Sequence, residues 1–233
     1  MSTITNLAKA NVKKDKTRSI LIMISIVLTT LLLTAISGAG YGIIKIQQAN
    51  AAEFYGEYYG RYMRTTKENI EEMTRHAEFS SIGLSARYAE VDNAKNLTLN
   101  WLDETVREMT HMESAFVEGH YPEEENEIAA APEFFKLLGV TNPQIGNKVT
   151  IAFRTDLKSI YLPEEFVICG FLSKADVEMT NSITAYTSKL HYEKHVADAE
   201  RIYTVLFRFD ESIPITYDNA ETMMKELAVS CGI

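Results

Sequence analysis

The chain has 233 residues, 46% hydrophobic and 10% aromatic, and its 23 Lys and Arg face 32 Asp and Glu for a formal net charge of −9. That hydrophobic content excludes a disordered polypeptide, and the acidic balance excludes nucleic acid as the expected partner, because phosphate binding needs clustered Lys and Arg. Two cysteines, Cys169 and Cys231, are too few for a disulfide-stapled extracellular scaffold; whether the two pair with each other is left open.

The charge is unevenly spread. Lys9, Lys13, Lys14, Lys16 and Arg18 stand against Asp15 alone, so residues 1–18 carry +4 and everything after them carries −13. Ile4, Leu7, Ala8 and Val12 recur at helical spacing, with Lys9, Lys13 and Lys16 toward the other side. This pattern predicts a basic amphipathic helix over 1–18, of the kind that lies on an anionic membrane surface. From Ser19 to Ile44 there is no Asp, Glu, Lys, Arg, His, Asn or Gln. At ~1.5 Å per residue such a helix crosses a hydrocarbon core of ~30 Å with some tilt.

A buried core helix of that length would show a polar face. Ala49-Asn50-Ala51 resembles a signal-peptide cleavage site, but signal h-regions run only ~7–15 residues, and Lys45, Gln47 and Gln48 intervene. A retained membrane span with ends at Ser19 and Ile44 is the better reading. Positive charge stays on the cytoplasmic side, so the N-terminus is expected inside and the acidic remainder outside. Gly38, Gly40 and Gly42 lie toward the outer end of the span. Small residues there permit close helix–helix packing; the alternative is that they merely loosen the helix end.

Beyond Ile44 remain 189 residues, enough for one large domain or two small ones. GEYYGRYMR reads as a first strand in preference to an interfacial tyrosine belt. Thr66-Lys67-Glu68-Asn69 opens a helix carrying Ile70, Met73 and Ala77 at spacings of three and four. SSIGLSARYAEV and NLTLNWL alternate as strands across a turn at Asp92-Asn93, and a helix is expected over Asp103–Met112. The texture then changes at Gly119-His120-Tyr121-Pro122 and its three glutamates. Asn126-Glu127-Ile128 restarts regular structure, Pro132 opens a short helix that Gly139 closes, and NKVTIAF and EEFVICGF are strands. ITAYTS (strand), Lys189–Ala199 (helix), RIYTVLFRFD (strand) and Asn219–Val229 (helix) complete the chain. The expected fold is α+β: a porter-like subdomain from 54–115 and 180–233, interrupted by a smaller β-rich insertion at 116–179.

No familiar catalytic pattern is present. There is no GxxxxGK[ST], GxSxG, CxxC or HExxH, so no catalytic residue, cofactor or metal is assigned. His191 and His195 in HYEKH have a spacing that can ligate zinc, but no third ligand is evident and the glutamate is at the wrong offset for a zincin; a solvated helix face is the simpler reading. Glu123, Glu124 and Glu125 lack the spaced ligands and glycine of a calcium loop. Asn96-Leu97-Thr98 fits a glycosylation acceptor, which matters only in a eukaryotic source.

The sequence as a whole resembles the N-terminal part of an FtsX-like ABC-transporter permease of the MacB type. LAKANVKKDKTRSILIMISIVLTTLLL is similar to that family's basic head and first span. EGHYPEEENEIAAAPEFFKLLGV followed by IGNKVTI resembles its G-x-x-P … N-E-I … L-G … G-x-x-V-x-I stretch. EEFVICGFL is similar to the strand closing the same subdomain, and AETMMKELAVSCGI to the helix leading toward the second span. The resemblance implies a bacterial cell-membrane protein without enzymatic turnover, partnered by a cytoplasmic ATP-binding subunit and by a second permease half or a second copy of itself. It also implies an extracytoplasmic event such as export or handling of a peptide, lipoprotein or antimicrobial. Such permeases have at least four spans, so the sequence is expected to be a piece of a longer protein. A single-pass anchored sensor or binding domain is one alternative, and an anchored extracytoplasmic enzyme whose site no motif reveals is another.

Overall fold

A computed structural model of the protein describes residues 16–55, 57–92, 96–173, 183–215 and 217–233. The basic head at 1–15, the Asn93 half of the expected turn and the segment 174–182 lie outside the described residues. The chain divides into two units, Met1–Phe54 and Tyr55–Ile233.

The first unit is built on one helix, α1 (Lys16–Tyr55). Its stretch Lys16–Ile43 is long and apolar enough to cross a membrane by length and composition, and its large side chains, Leu21, Leu28, Leu32 and Ile36 among them, stand exposed all round. Three of its threonine hydroxyls bond within the helix. Thr29 donates to the Ser25 carbonyl and Thr30 to the Ile26 carbonyl, both at 2.8 Å, and Thr34 donates to Leu31 at 2.9 Å. In hydrocarbon, where water cannot serve, a hydroxyl needs this intrahelical acceptor. The helix runs on past Ile44 to Tyr55, through the Ala49-Asn50-Ala51 stretch.

The second unit is α+β. Its elements are β1 (Gly60–Thr65), α2 (Lys67–Met73), β2 (Phe79–Val91), β3 (Leu97–Leu102), α3 (Glu104–Met109), β4 (Phe116–Gly119), β5 (Glu127–Ala130), α4 (Pro132–Leu137), β6 (Lys148–Arg154), β7 (Leu162–Leu172), β8 (Ile183–Thr187), α5 (Lys189–His195), β9 (Tyr203–Phe209) and α6 (Tyr217–Ser230). The strands join one sheet in the order β1-β9-β2-β3-β8-β5-β7-β4, and β6 bridges β2 and β7. Following the pairings β2·β3, β3·β8, β8·β5, β5·β7, β7·β6 and β6·β2 returns to the starting strand, so six strands form a closed ring. β9 and β1 extend from β2, and β4 from β7. Strands from the 116–179 stretch and from its flanks thus share one continuous sheet.

The main core contains Leu97, Leu99 and Trp101 of β3, Ile128 of β5, Ile151 and Phe153 of β6, Phe166 and Ile168 of β7, and Tyr192 of α5. α3 packs Val106 and Met109 with Tyr121 and Tyr186 in a second cluster. A third holds Met73 of α2 and Leu227 of α6 with Val205 and Phe207 of β9.

Helix boundaries follow capping chemistry. The Thr66 side chain accepts the Asn69 N–H while the Asn69 side chain caps back, a capping box; α2 stops at Met73, so Ala77 lies in the following turn, not on the helix. Asp103 caps α3 by accepting Val106 N–H at 2.7 Å, and α3 ends at Met109, with Met112 opening a separate 3-10 turn instead of continuing the expected helix. α5 ends at His195, three residues short of a second 3-10 turn at Asp198–Glu200, so the helix expected to reach Ala199 is divided. Pro132 stands at the first turn of α4 and Gly139 follows it at φ +90, as the residue types require. β4 was not anticipated; its pattern is too short to carry a period. Both cysteines are buried and free.

Candidate functional site

The residues with the most chemistry converge at α5. Ser188 starts this helix by accepting the His191 N–H, and four-residue spacing then places His191 and His195 on one face, ring centroids 4.4 Å apart. The face is not solvated as the sequence reading expected. His191 is 1% exposed and packs between Phe153 and Phe166, at 5.4 and 4.9 Å.

A third donor comes from β7. Glu164 belongs to the same alternate row as the buried Phe166 and Ile168, which turns its carboxylate toward α5. Its Oε2 lies 3.1 Å from His191 Nε2 and 2.9 Å from His195 Nε2, and its Oε1 accepts from Lys194 Nζ at 2.8 Å. Lys194 also pairs with Glu125. The other side of His191 is held by Tyr88, whose hydroxyl is 2.7 Å from Nδ1 and 2.8 Å from Thr187 Oγ1. Tyr88 reaches inward because the β2·β3 register shifts between Arg87 and Ala89; the bulge breaks the strand's alternation and buries Tyr88 and Ala89 side by side.

Burial, reinforced by the neighbouring His195, pushes the His191 imidazole down to about 4, so it is neutral at physiological pH. Burial raises the Glu164 carboxyl, but the Lys194 hydrogen bond and the two histidines outweigh it and leave it below the usual carboxylate range. Tyr88 is driven well above the ordinary phenol range by burial.

The third donor is not legible in sequence because Glu164 sits 27 residues before His191. The signal that finds it is the alternation of Glu164 with Phe166 and Ile168, which assigns a carboxylate to a core-facing position. A second grouping, His120, Glu127 and Cys169, also brings ligand atoms together. There the thiol is hydrogen-bonded to the His120 and Ile128 carbonyls, and burial with the nearby Glu127 pushes it up to about 12. A protonated, carbonyl-bound thiol is a poor ligand.

The residues singled out on the apolar run all fall on α1. Ser19 and Ile44 lie within it, and a side chain built on Gly38, Gly40 or Gly42 would meet nothing within 4 Å among the described residues.

No protein-family model matches the sequence, and no curated protein matches it significantly. Among solved structures, the periplasmic region of MacB from Actinobacillus actinomycetemcomitans is similar at 14% identity over 73% of this chain and 76% of that one, with a TM-score of 0.43. The extracellular domain of the noncanonic ABC-type transporter YknZ from Gram-positive bacteria is similar at 14% identity over 71% and 81%, with a TM-score of 0.44.

Proposed function

We propose that the chain is the N-terminal part of an ABC-transporter permease subunit of the FtsX-like, MacB type. In this reading α1 anchors the protein with its N-terminus in the cytoplasm, and the unit from Tyr55 onward is extracytoplasmic. The porter-like part comprises 54–115 and 180–233, and 116–179 is its β-rich insertion. A cytoplasmic ATP-binding subunit supplies the energy, a second permease half or second copy completes the membrane part, and the exterior unit handles a peptide, lipoprotein or antimicrobial without turnover of its own.

The observation that carries this reading is the way the family-like stretch is used. Gly119 sits at φ +82 against β7. Glu127 accepts the N–H groups of Glu123 and Glu124 at 2.8 and 3.0 Å, and Ile128 is fully buried. Gly139 and Gly146 hold positive φ, and Gly146 N–H donates to Ile168 at 2.8 Å. Val149 and Ile151 face the core. The glycines, Glu127, Ile128, Val149 and Ile151 of the pattern thus meet specific structural demands, as expected of a fold signature. The preceding apolar helix and the +4 head support the membrane placement.

Two measurements test it. Cysteines at Lys14 and at Glu124, each in a background lacking Cys169 and Cys231, should differ toward an impermeant thiol reagent in intact cells: Glu124 labels and Lys14 does not. The full-length protein, solubilised from its native membrane, should bring an ATP-binding subunit with it. Reversed labelling, or recovery without any ATP-binding partner, overturns the reading.

A further inference from the structure

We propose that Glu164, His191 and His195 form a three-ligand site for a first-row divalent transition ion of the Zn²⁺ type, tying α5 to β7. Two imidazoles and one carboxylate are the donor set that suits zinc with an open fourth position. The three ligand atoms lie within 4.8 Å of one another. Four-coordinate zinc with bonds of ~2.0–2.1 Å holds its ligands about 3.3 Å apart. The 3.1 and 2.9 Å separations at Oε2 need to widen by only a few tenths of an ångström.

Two features of the hydrogen bonding point to a cation in particular. The first is the direction of donation behind His191. Thr187 donates its hydroxyl proton to the Asn100 carbonyl, so its oxygen accepts from Tyr88. The Tyr88 oxygen must then accept from Nδ1–H of His191. With Nδ1 held by Tyr88, the other ring nitrogen, Nε2, is turned toward a Glu164 carboxylate oxygen at 3.1 Å. The same Nδ1–H to outer-oxygen bond is the arrangement that orients a metal-bound histidine.

The second is His195. Its Nε2 is buried and has no hydrogen-bond partner, although it is 2.9 Å from Glu164 Oε2. A buried ring nitrogen close to a carboxylate yet not bonded to it is an unexplained cost in a hydrogen-bonded triad; as a ligand it is accounted for. Lys194 opposes a cation but holds the other oxygen, Oε1, and its charge is shared with Glu125. The side chains of His195 and Glu164 are 19% and 28% exposed, which leaves an entry route and a solvent-facing fourth position.

The test uses the full-length chain in detergent, stripped with a chelator and titrated calorimetrically with Zn²⁺, with Co²⁺ absorption as the spectroscopic readout. The expected result is one Zn²⁺ per chain and four-coordinate Co²⁺ bands. Glu164→Gln and His195→Asn should each weaken binding by at least about tenfold, and Tyr88→Phe by about 10–100-fold through the outer contact. Circular dichroism of each variant must match the parent, and His195→Asn, at the exposed rim, is the variant least able to disturb the core. Absence of saturable binding, or binding unchanged in the Glu164→Gln/His195→Asn double variant, overturns the site; the latter would move attention to His120, Glu127 and Cys169. Neither outcome bears on the permease reading, which the labelling and co-purification decide.

Discussion

A methyl group on Gly119 would overlap the carbonyl oxygen of Cys169, which it faces across the β4·β7 pair, and would lie 2.7 Å from the Gly170 Cα. Both obstacles are backbone and cannot swing aside. Gly139 has a similar left-handed conformation, φ +90 against +82, but open space around it. Gly139→Ala should therefore cost only the left-handed penalty of about 1–2 kcal/mol. Gly119→Ala should cost that plus overpacking of about 1–3 kcal/mol. Thermal unfolding of the two variants side by side measures the difference; equal losses would mean that β4 does not pack as described.

Tyr62 of β1 donates its hydroxyl to the Met224 carbonyl of α6 at 2.7 Å. Burial, with a contribution from Cys231, pushes this phenol up to about 12. Between the ordinary value near 10 and that one, the unfolded chain has released a proton that the folded chain retains. Stability therefore falls as pH rises through this window. Tyr62→Phe should lose about 1 kcal/mol at neutral pH and show a shallower decline between pH 10 and 12. Denaturant midpoints at pH 8, 10 and 11 read it; parallel curves for the two proteins would refute the assignment.

Asp103 accepts two backbone N–H groups, Val106 through Oδ1 and Leu84 through Oδ2, each at 2.7 Å. One caps α3 and the other ties that helix start to β2. Asp103→Ala removes the cap, worth about 1 kcal/mol, and strands the Leu84 donor at a further ~1–3 kcal/mol. Asp103→Asn retains an acceptor and should recover part of the loss in the same unfolding measurement.

Cys169 is raised to about 12 and buried, and Cys231 is 3% exposed with its thiol also raised, chiefly by burial. Thiolate is the reactive form, so modification in the native state at pH 8 should be at least about a hundredfold slower than in denaturant. Two thiols per chain should appear on unfolding. Rapid native labelling of either would show that its element opens readily.

In the permease reading, close packing at Gly38 and Gly40 carries motion through α1. Gly38→Leu/Gly40→Leu in the full-length complex should separate ATP hydrolysis by the partner subunit from the exterior event while leaving the exterior unit folded. ATPase activity and substrate-dependent function of the reconstituted complex are compared. Unchanged coupling would remove the packing role.

Much of this architecture is legible in the sequence because local signals decide it. The uncharged run, the Thr66 cap, Pro132 with Gly139, and the alternation in NKVTIAF each act within a few residues. The ring is not legible: it depends on pairs such as Leu97↔Ile183 and Ile128↔Thr187, and no local pattern records which strands meet. The His191 environment failed for the same reason. A histidine on a short helix reads as solvated until Phe153, Phe166 and Tyr88 arrive from three different strands. Tyr88 itself was hidden by the bulge, which defeats a period-two reading.

The join between β2 and β6 consists of two residue pairs, Glu90↔Arg154 and Val91↔Phe153, with the Glu90–Arg154 ion pair at 3.0 Å and the Asp92 N–H donated to Ala152 beside them. β6 and β7, by contrast, are matched over six pairs. The β2·β6 join is the narrowest pairing of the ring and is expected to open first. Its loss alone would leave β6 paired to β7 and β2 to β3. Amide exchange at Asp92 should then run ahead of the neighbouring strands.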